Sequence, residues 1–161
     1  MIIGLMGAGK TTVAEAVARR RGWPMRDSDR DIEAATGRTG REVAASDGVD
    51  ALHRWEEAVL LDALACPEPQ VVAAAGWVVE SAACLEAMAR SAVVVWLQVG
   101  EDELRRRMAA GRHRRPLTEA ELDAMVARRN PMMAGAADVV VDADGSREQV
   151  VAAALAALEG R

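Results

Sequence analysis

The sequence contains no phenylalanine and no tyrosine, and it has only four tryptophans among its 161 residues. Alanine, valine, leucine and methionine must therefore fill the hydrophobic core, and we expect no aromatic platform on which nucleic-acid bases could stack. The net charge of −5, from 20 basic and 25 acidic residues, gives no general basic field for nucleic acid either. Any site for an anion must therefore be local.

Cysteines and long apolar runs are also scarce. Cys66 and Cys84 lie in segments with helical patterns, lack the spacing of metal ligands, and are expected to be buried free thiols. No run approaches the roughly 18 apolar residues of a membrane span, and residues 1–3 lead into the first motif without a signal peptide. These absences predict a cytoplasmic protein with no membrane partner, and the short start also fits a start codon further upstream.

Lysine is nearly absent, because 19 of the 20 Lys and Arg residues are arginine and only Lys10 is lysine. Lys10 belongs to Gly4-Leu5-Met6-Gly7-Ala8-Gly9-Lys10-Thr11, which fits the phosphate-loop pattern G-x-x-x-x-G-K-[ST]. Its backbone N–H groups can turn toward one anion at a helix N-terminus, and a compact ammonium suits phosphate there. A glycine-rich turn that only caps a helix would not explain the lysine. The pattern predicts a site for a nucleoside triphosphate and Mg²⁺, formed by Met6, Gly7, Ala8, Gly9, Lys10, Thr11 and Thr12.

Short apolar segments alternate with helical patterns along the whole chain. Residues 92–99 are the strongest strand candidate, and Val49–Ala65 and Glu101–Ala110 are typical of helices. Thr118 and Glu121 form a capping box that opens another helix. The alternation predicts an α/β fold with a parallel sheet, in a single domain that covers residues 1–161.

Asp27 and Asp29 form an acidic pair near an expected short strand. On an extended strand, residues two apart project to the same face, so the two carboxylates could act together. Phosphoryl transfer needs a carboxylate near the metal and another that receives the proton of the acceptor hydroxyl. We therefore predict that Asp27 joins Thr11 at the metal and that Asp29 orients or deprotonates the hydroxyl. The alternative is a solvated acidic loop.

Seven cationic or titratable side chains lie between residues 105 and 115. Arg105 and Arg106 are expected on the surface of a helix. The loop that follows is different, because its arginines would repel one another unless an anion were sometimes bound there. A lid that places an arginine on the transferring phosphoryl group meets that need. The candidates are Arg115, which we favour, and then Arg114 and Arg112.

Arg128 and Arg129 precede Asn130-Pro131, near the expected end of the next helix. Interaction with the helix dipole would explain one arginine at such a position. A second arginine, placed after an arginine-rich lid, predicts that Arg129 reaches inward to an anionic group of the substrate.

The order of these motifs resembles the shikimate kinases, small phosphate-loop kinases that use MgATP to phosphorylate a hydroxyl of a cyclic polyol carboxylate. The resemblance covers nearly the whole chain. The segments that carry it are Gly4 to Thr11, Asp27-Ser28-Asp29, Ile32 through Gly37-Arg38-Thr39, Arg115-Pro116-Leu117, and Arg129-Asn130-Pro131-Met132-Met133, where the family has tyrosine at the last position.

The resemblance implies a P-loop kinase fold, a three-layer α/β/α arrangement with a five-stranded parallel sheet and a mobile lid at approximately residues 111–118. It implies ATP and Mg²⁺ as cofactors and places Arg107 near the adenine. It also implies that Arg129 binds the carboxylate of the substrate.

The departures from the family pattern lie on the acceptor side. The family carries Phe-Arg-x-x-Glu on its long helix, and two registers are open here: one sets His53 at the arginine position, and the other sets Arg54 there. The family's Gly-Gly-Gly is Ala75-Gly76-Trp77, so the indole either points away or reshapes the pocket. The candidate substrate-binding residues are Asp29, His53, Arg54, Gly76, Trp77 and Arg129.

The sequence therefore predicts an ATP-dependent kinase with shikimate as its small-molecule substrate, and we expect a monomer. A related cyclitol, sugar acid or other hydroxylated carboxylate remains an alternative acceptor, since added bulk in a pocket changes specificity. A catalytically inactive nucleotide-binding sensor is an alternative of another class. A nucleotide kinase fits less well, because the chain offers no long inserted segment for recognising a base.

Overall fold

The computed structural model describes residues 1–110 and 117–159. Its strands form one parallel sheet in the order β2-β3-β1-β4-β5, which confirms the predicted five-stranded α/β fold. The strands are shorter than the apolar runs that predicted them. The run at 92–99, for example, forms a strand only from Val95 to Gln98. The bounds are β1 Ile2–Ile3, β2 Met25–Asp27, β3 Val71–Ala73, β4 Val95–Gln98 and β5 Val139–Asp142.

The connections between strands are helical, and the two helices from Val49 and from Glu101 have the predicted bounds. The α-helices in the described part of the chain are α1 Lys10–Arg21, α2 Ser28–Thr36, α3 Gly40–Asp47, α4 Val49–Ala65, α5 Ala82–Ser91, α6 Glu101–Ala110, α7 Glu119–Ala136 and α8 Arg147–Ala157. A single 3-10 turn, Val78–Glu80, lies between β3 and α5.

Local side chains fix where several helices begin. Thr118 accepts from the backbone N–H of Glu121, whose carboxylate accepts in return from the backbone of Thr118, so the predicted capping box is present. Ser81 likewise caps α5, because its hydroxyl accepts from the backbone N–H of Cys84 at 3.2 Å. These starts could be located from sequence since each depends on residues three apart.

The main core fills the space between the sheet and its helices with valine, alanine, leucine and isoleucine, as expected of a chain so poor in aromatic residues. Trp96 on β4 is its buried tryptophan. Cys84 is also buried, as predicted, but Cys66 is exposed, so that part of the prediction is wrong. Cys66 directly follows α4, where the chain leaves the core toward Pro67.

Helices cover both faces of the sheet. With the usual right-handed crossovers, the step from β1 to β2 and the return from β2 to β3 put α1 and α4 on opposite faces; α8 packs against α1, and α5 packs against α4. A second, smaller core joins α2, α3 and α4 through Ile32, Val43, Ala51 and Val59. It fixes the start of α4 beside the carboxyl ends of the strands. None of the helices in the described residues has the length and apolar character of a membrane span.

Candidate active site

The phosphate loop runs from the end of β1 to the first residue of α1. Gly7 and Gly9 have φ angles of +84° and +89°, in the left-handed region that favours glycine. A Cβ atom at Gly4 would lie 2.9 Å from the carbonyl oxygen of Leu97, so the backbone approaches β4 closely at that position. The glycines of the motif therefore permit both the turn and the close approach to the sheet.

Lys10 lies across this loop. Its Nζ donates to the carbonyl oxygen of Leu5 at 3.1 Å, and the backbone N–H of Ala8 donates to the same oxygen at 3.1 Å. The N–H of Ala8 is therefore engaged within the loop itself, which the motif alone did not indicate. The ammonium group stands at the N-terminus of α1, where the helix dipole also favours an anion.

Thr11 and Asp27 meet at the base of the loop. The hydroxyl of Thr11 donates to Oδ2 of Asp27 at 2.7 Å, and Asp27 is only 7% exposed. Hydroxyl and carboxylate oxygens are the ligands that Mg²⁺ prefers, and the pair leaves the remaining positions to water and phosphate. The described residues hold no group of three or more His, Cys, Asp or Glu side chains that could bind a metal unaided. The hydroxyl and carboxylate oxygens of Thr11 and Asp27 fit Mg²⁺ bound together with a nucleotide.

Asp27 and Asp29 do not share a face of a strand, so the predicted geometry of this pair is wrong. β2 ends at Asp27, whose Oδ1 accepts from the backbone N–H groups of Asp29 at 3.0 Å and Arg30 at 3.4 Å. Asp27 is therefore the N-cap of α2, and Asp29 lies in the first helical turn. The acidic first turn was a signal for a helix start that the two-residue spacing concealed.

On the acceptor side, Arg129 extends from α7 toward the phosphate loop. A Cβ atom at Gly76 would lie 3.8 Å from Nη1 of Arg129 and 3.2 Å from the carbonyl oxygen of Gly4. Gly76 therefore occupies a narrow gap between the loop and the guanidinium. Nε of Arg129 donates to Oε1 of Glu80 at 2.7 Å, and Arg128 pairs with the other oxygen of the same carboxylate.

The helix dipole does not explain these arginines, because the helix does not end near them as predicted. α7 continues through Pro131 to Ala136, so Arg128 and Arg129 lie in its interior, and its last turn contains no basic residue. Their partner, Glu80, was not singled out from sequence. It lies 49 residues from Arg129, and no local pattern links the two positions.

His53 and Trp77 form a stacked pair beside this cluster. Their ring centroids are 4.2 Å apart, and the ring planes differ by 5°. Arg54 is exposed on the same helix, so the structure brings His53 and not Arg54 to Trp77. The indole thus has a defined partner on α4, and the two registers of the family motif stay alternatives.

Burial lowers the pKa of His53, and the positive charge of Arg129 lowers it further. Arg128 acts in the same direction, whereas the carboxylates of Glu80 and Asp50 raise the pKa. The net direction is downward from the ordinary value of 6.5. The imidazole is therefore neutral at pH 7, where it serves as a stacking partner rather than as a cation.

Acidification is expected to weaken the fold through His53. Because its pKa is lower in the folded chain, the unfolded chain binds more protons just below pH 6.5, and the free energy of unfolding falls as the pH falls. The change His53→Phe keeps an aromatic partner for Trp77 and removes the titration. Urea unfolding at pH 7.5 and 5.5 should show a smaller loss of stability in the variant than in the parent. Equal losses would contradict this role of His53.

Arg107 connects α6 to the phosphate loop and to the segment after β5. Its Nη2 donates to the carbonyl oxygen of Ala143 at 2.6 Å, and Nη1 is 3.4 Å from the carbonyl oxygen of Gly7. Glu103 accepts from its Nε at 2.5 Å. Arg107 therefore borders the donor side of the loop, and contact with adenine stays a prediction. Arg105 pairs with Asp123 on the exposed side of the helix, as expected of a surface residue.

Part of the predicted lid lies outside the described residues. Arg112, Arg114 and Arg115 belong to that part, and their roles stay predictions. Leu117 and Thr118, at the end of the predicted lid, lie at the start of α7. The same helix carries Arg129.

Known proteins resemble this chain over nearly its full length. A family model described as shikimate kinase matches residues 6–159. A shikimate kinase from Symbiobacterium thermophilum is 37% identical over 168 residues, covering 100% of this chain and 96% of that protein. One from Frankia casuarinae is 36% identical, covering 99% and 72%.

The fold agrees with these matches. The crystal structure of shikimate kinase from Bacteroides thetaiotaomicron is similar with a TM-score of 0.85 and 27% identity, covering 98% of this chain and 94% of that one. The first of these relatives aligns with the whole chain, including the phosphate loop and helix α7. This chain therefore belongs to the shikimate kinase family, whose members are phosphotransferases that use ATP and an alcohol acceptor.

Proposed function

We propose that this chain transfers the γ-phosphoryl group of ATP to a hydroxyl group of shikimate. The approach of Arg129 to the phosphate loop across Gly76 is the observation that supports this most directly. Shikimate is a carboxylate, and a guanidinium pairs with a carboxylate through two parallel hydrogen bonds. A cation suited to the acceptor therefore lies beside the groups suited to the donor.

On the donor side, Lys10 and the backbone N–H groups of the loop bind the β- and γ-phosphates. Thr11 and Asp27 hold Mg²⁺ directly or through water, since their oxygens already lie together at the end of the loop. When bound, Mg²⁺ neutralises charge that develops on the phosphate oxygens. Arg107, which borders Gly7, contacts the adenine.

On the acceptor side, Arg129 binds the carboxylate, and Asp29 orients the hydroxyl and receives its proton. The position of Asp29 in the first turn of α2, directly after the metal-side carboxylate of Asp27, supports this division of roles. Trp77 and His53 form a wall of the pocket. Arg115 closes over the transferring group, where a cation stabilises the transition state.

We extend the proposal to the chain as a whole. Residues 1–161 form one catalytic domain with a lid at approximately 111–118. Its partner is a small molecule rather than nucleic acid or a membrane, and it acts as a monomer in the cytoplasm. The acidic net charge and the local nature of the cationic site support this assignment.

Release of ADP should be measured with shikimate, quinate, gluconate, several cyclitols and nucleoside monophosphates, against a reaction without acceptor. We expect shikimate to give the highest kcat/KM. Preference for another cyclitol or sugar acid would mean that the His53–Trp77 wall has changed the acceptor. Preference for a monophosphate would indicate a nucleotide kinase. ATP binding without turnover on any acceptor would favour a sensor and overturn the proposal.

A further inference from the structure

We propose that Glu80 is a positioning residue for the acceptor: it holds Arg129 by Nε and so directs the Nη groups of the guanidinium toward Gly76. The inference rests on the proposed function, in which Arg129 binds the acceptor carboxylate. It adds a residue that neither the motifs nor the resemblance to the family singled out.

The hydrogen-bond geometry defines which side of Arg129 is held. Oε1 of Glu80 accepts from Nε at 2.7 Å, and Nη1 lies 3.8 Å from the Cβ position of Gly76. A guanidinium offers five N–H groups in one plane, and a carboxylate usually takes two of them in parallel. Since the contact to Glu80 is made through Nε, the edge formed by Nη1 and Nη2 can serve a second carboxylate.

Burial gives this contact its rigidity. The side chain of Glu80 is 7% exposed and that of Arg129 is 19% exposed, whereas that of Arg128 is 66% exposed. A buried charge pair is held far more strictly than a solvated one, because either partner left alone would be a desolvated ion. Glu80 and Arg129 are therefore a fixed unit, and Arg128 is an outer partner.

Glu80 also reduces the repulsion between its two arginine partners. Glu80 lies between two consecutive arginines, so the three side chains together carry one net positive charge. Without that carboxylate, Arg128 and Arg129 would repel each other, and Arg129 would have no reason to keep its direction. Glu80 therefore keeps the guanidinium of Arg129 oriented, in a site from which the product must also dissociate.

A competing interpretation is that Glu80 occupies Arg129 and opposes the acceptor. The two interpretations predict opposite effects of removing its charge. If Glu80 positions Arg129, the change Glu80→Gln raises the KM for the acceptor. If Glu80 competes with the acceptor, the same change lowers that KM. The contact through Nε favours positioning, because a competitor would occupy the two Nη groups.

A double-mutant cycle tests the inference. Arg129→Met should raise the KM for shikimate at least about tenfold, since a charged hydrogen-bonded partner is lost. Glu80→Gln should raise the KM for shikimate about fivefold. In the Arg129→Met background, the same substitution should change this KM by less than about twofold. The KM for ATP should stay the same throughout. Circular dichroism and thermal unfolding of each variant show whether it folds.

Two further variants keep the result decisive. Arg128→Met removes the exposed partner of Glu80 and should leave the KM for shikimate within about twofold of the parent. Glu80→Asp retains the charge and provides a second test if Glu80→Gln does not fold; its effect on the KM must also disappear in the Arg129→Met background. The inference is overturned if either substitution of Glu80 still changes the KM for shikimate in the Arg129→Met background. It is also overturned if Glu80→Gln lowers this KM. If the parent neither binds nor phosphorylates shikimate, the proposed function fails as well.

Discussion

The change Lys10→Ala is expected to lower kcat by about 10²–10³-fold, the usual cost of removing one preorganised donor from a transition state. Lys10 is the single lysine of the chain and lies across the phosphate loop, with Nζ 3.1 Å from the carbonyl oxygen of Leu5. Its charge becomes most valuable when negative charge moves onto the phosphate oxygens. Turnover should be measured with saturating ATP and shikimate.

The fold should survive this change. Lys10 begins α1, and alanine is the residue that a helix tolerates best. The melting temperature should therefore stay within a few degrees of the parent, roughly the shift that 1 kcal/mol produces. Lys10→Arg is the matched control, because it keeps the charge but replaces a compact ammonium with a planar fork. Turnover of Lys10→Ala within a few-fold of the parent would contradict the role of the loop.

The parts of the fold that could be predicted are those that local sequence determines. The phosphate loop, helix α4 and the capping box at Thr118 each depend on residues within one or two turns of each other. Alternating strands and helices then allow few arrangements besides a parallel sheet covered on both faces. The ends of the strands could not be located as closely from sequence, because an apolar run continues past the residues that pair with a neighbouring strand.

The acidic pair shows how a local pattern can be assigned to the wrong element. A spacing of two is meaningful on a strand, but Asp27 is also a strong helix cap, and its contact to the backbone of Asp29 ends the strand there. The two carboxylates remain neighbours at the edge of the sheet. The roles proposed for Asp27 and Asp29 do not require both carboxylates to lie on one face of a strand, so these roles stay proposals.

The acceptor side could not be assembled from sequence, since its contacts join distant segments. Glu80 and Arg129 are 49 residues apart, and the stacking of His53 on Trp77 joins α4 to the segment after β3. The resemblance to the family supplied Arg129 but not its partner Glu80, and His53 and Trp77 stand where the chain departs from the family pattern. Folding brings them together at the carboxyl ends of the parallel strands, where ligands of open α/β sheets bind.

Asp27 carries the second large expected effect, and here activity and stability should separate. The change Asp27→Asn preserves a good helix cap, because asparagine and aspartate are comparable at that position. The amide has no charge for the metal, so kcat should fall by about 10²-fold and the requirement for Mg²⁺ should rise. Turnover across a Mg²⁺ titration and urea unfolding of the same variant measure the two effects.

Asp27→Ala completes the comparison, because it removes the cap as well as the charge. The backbone N–H groups of Asp29 and Arg30 and the hydroxyl of Thr11 would all lose their acceptor. We expect a loss of activity similar to that of the asparagine variant and a further loss of about 1–2 kcal/mol in the free energy of unfolding. If Asp27→Asn instead kept its activity and lost as much stability as Asp27→Ala, Asp27 would be a helix cap alone, and the metal would have to be held without it.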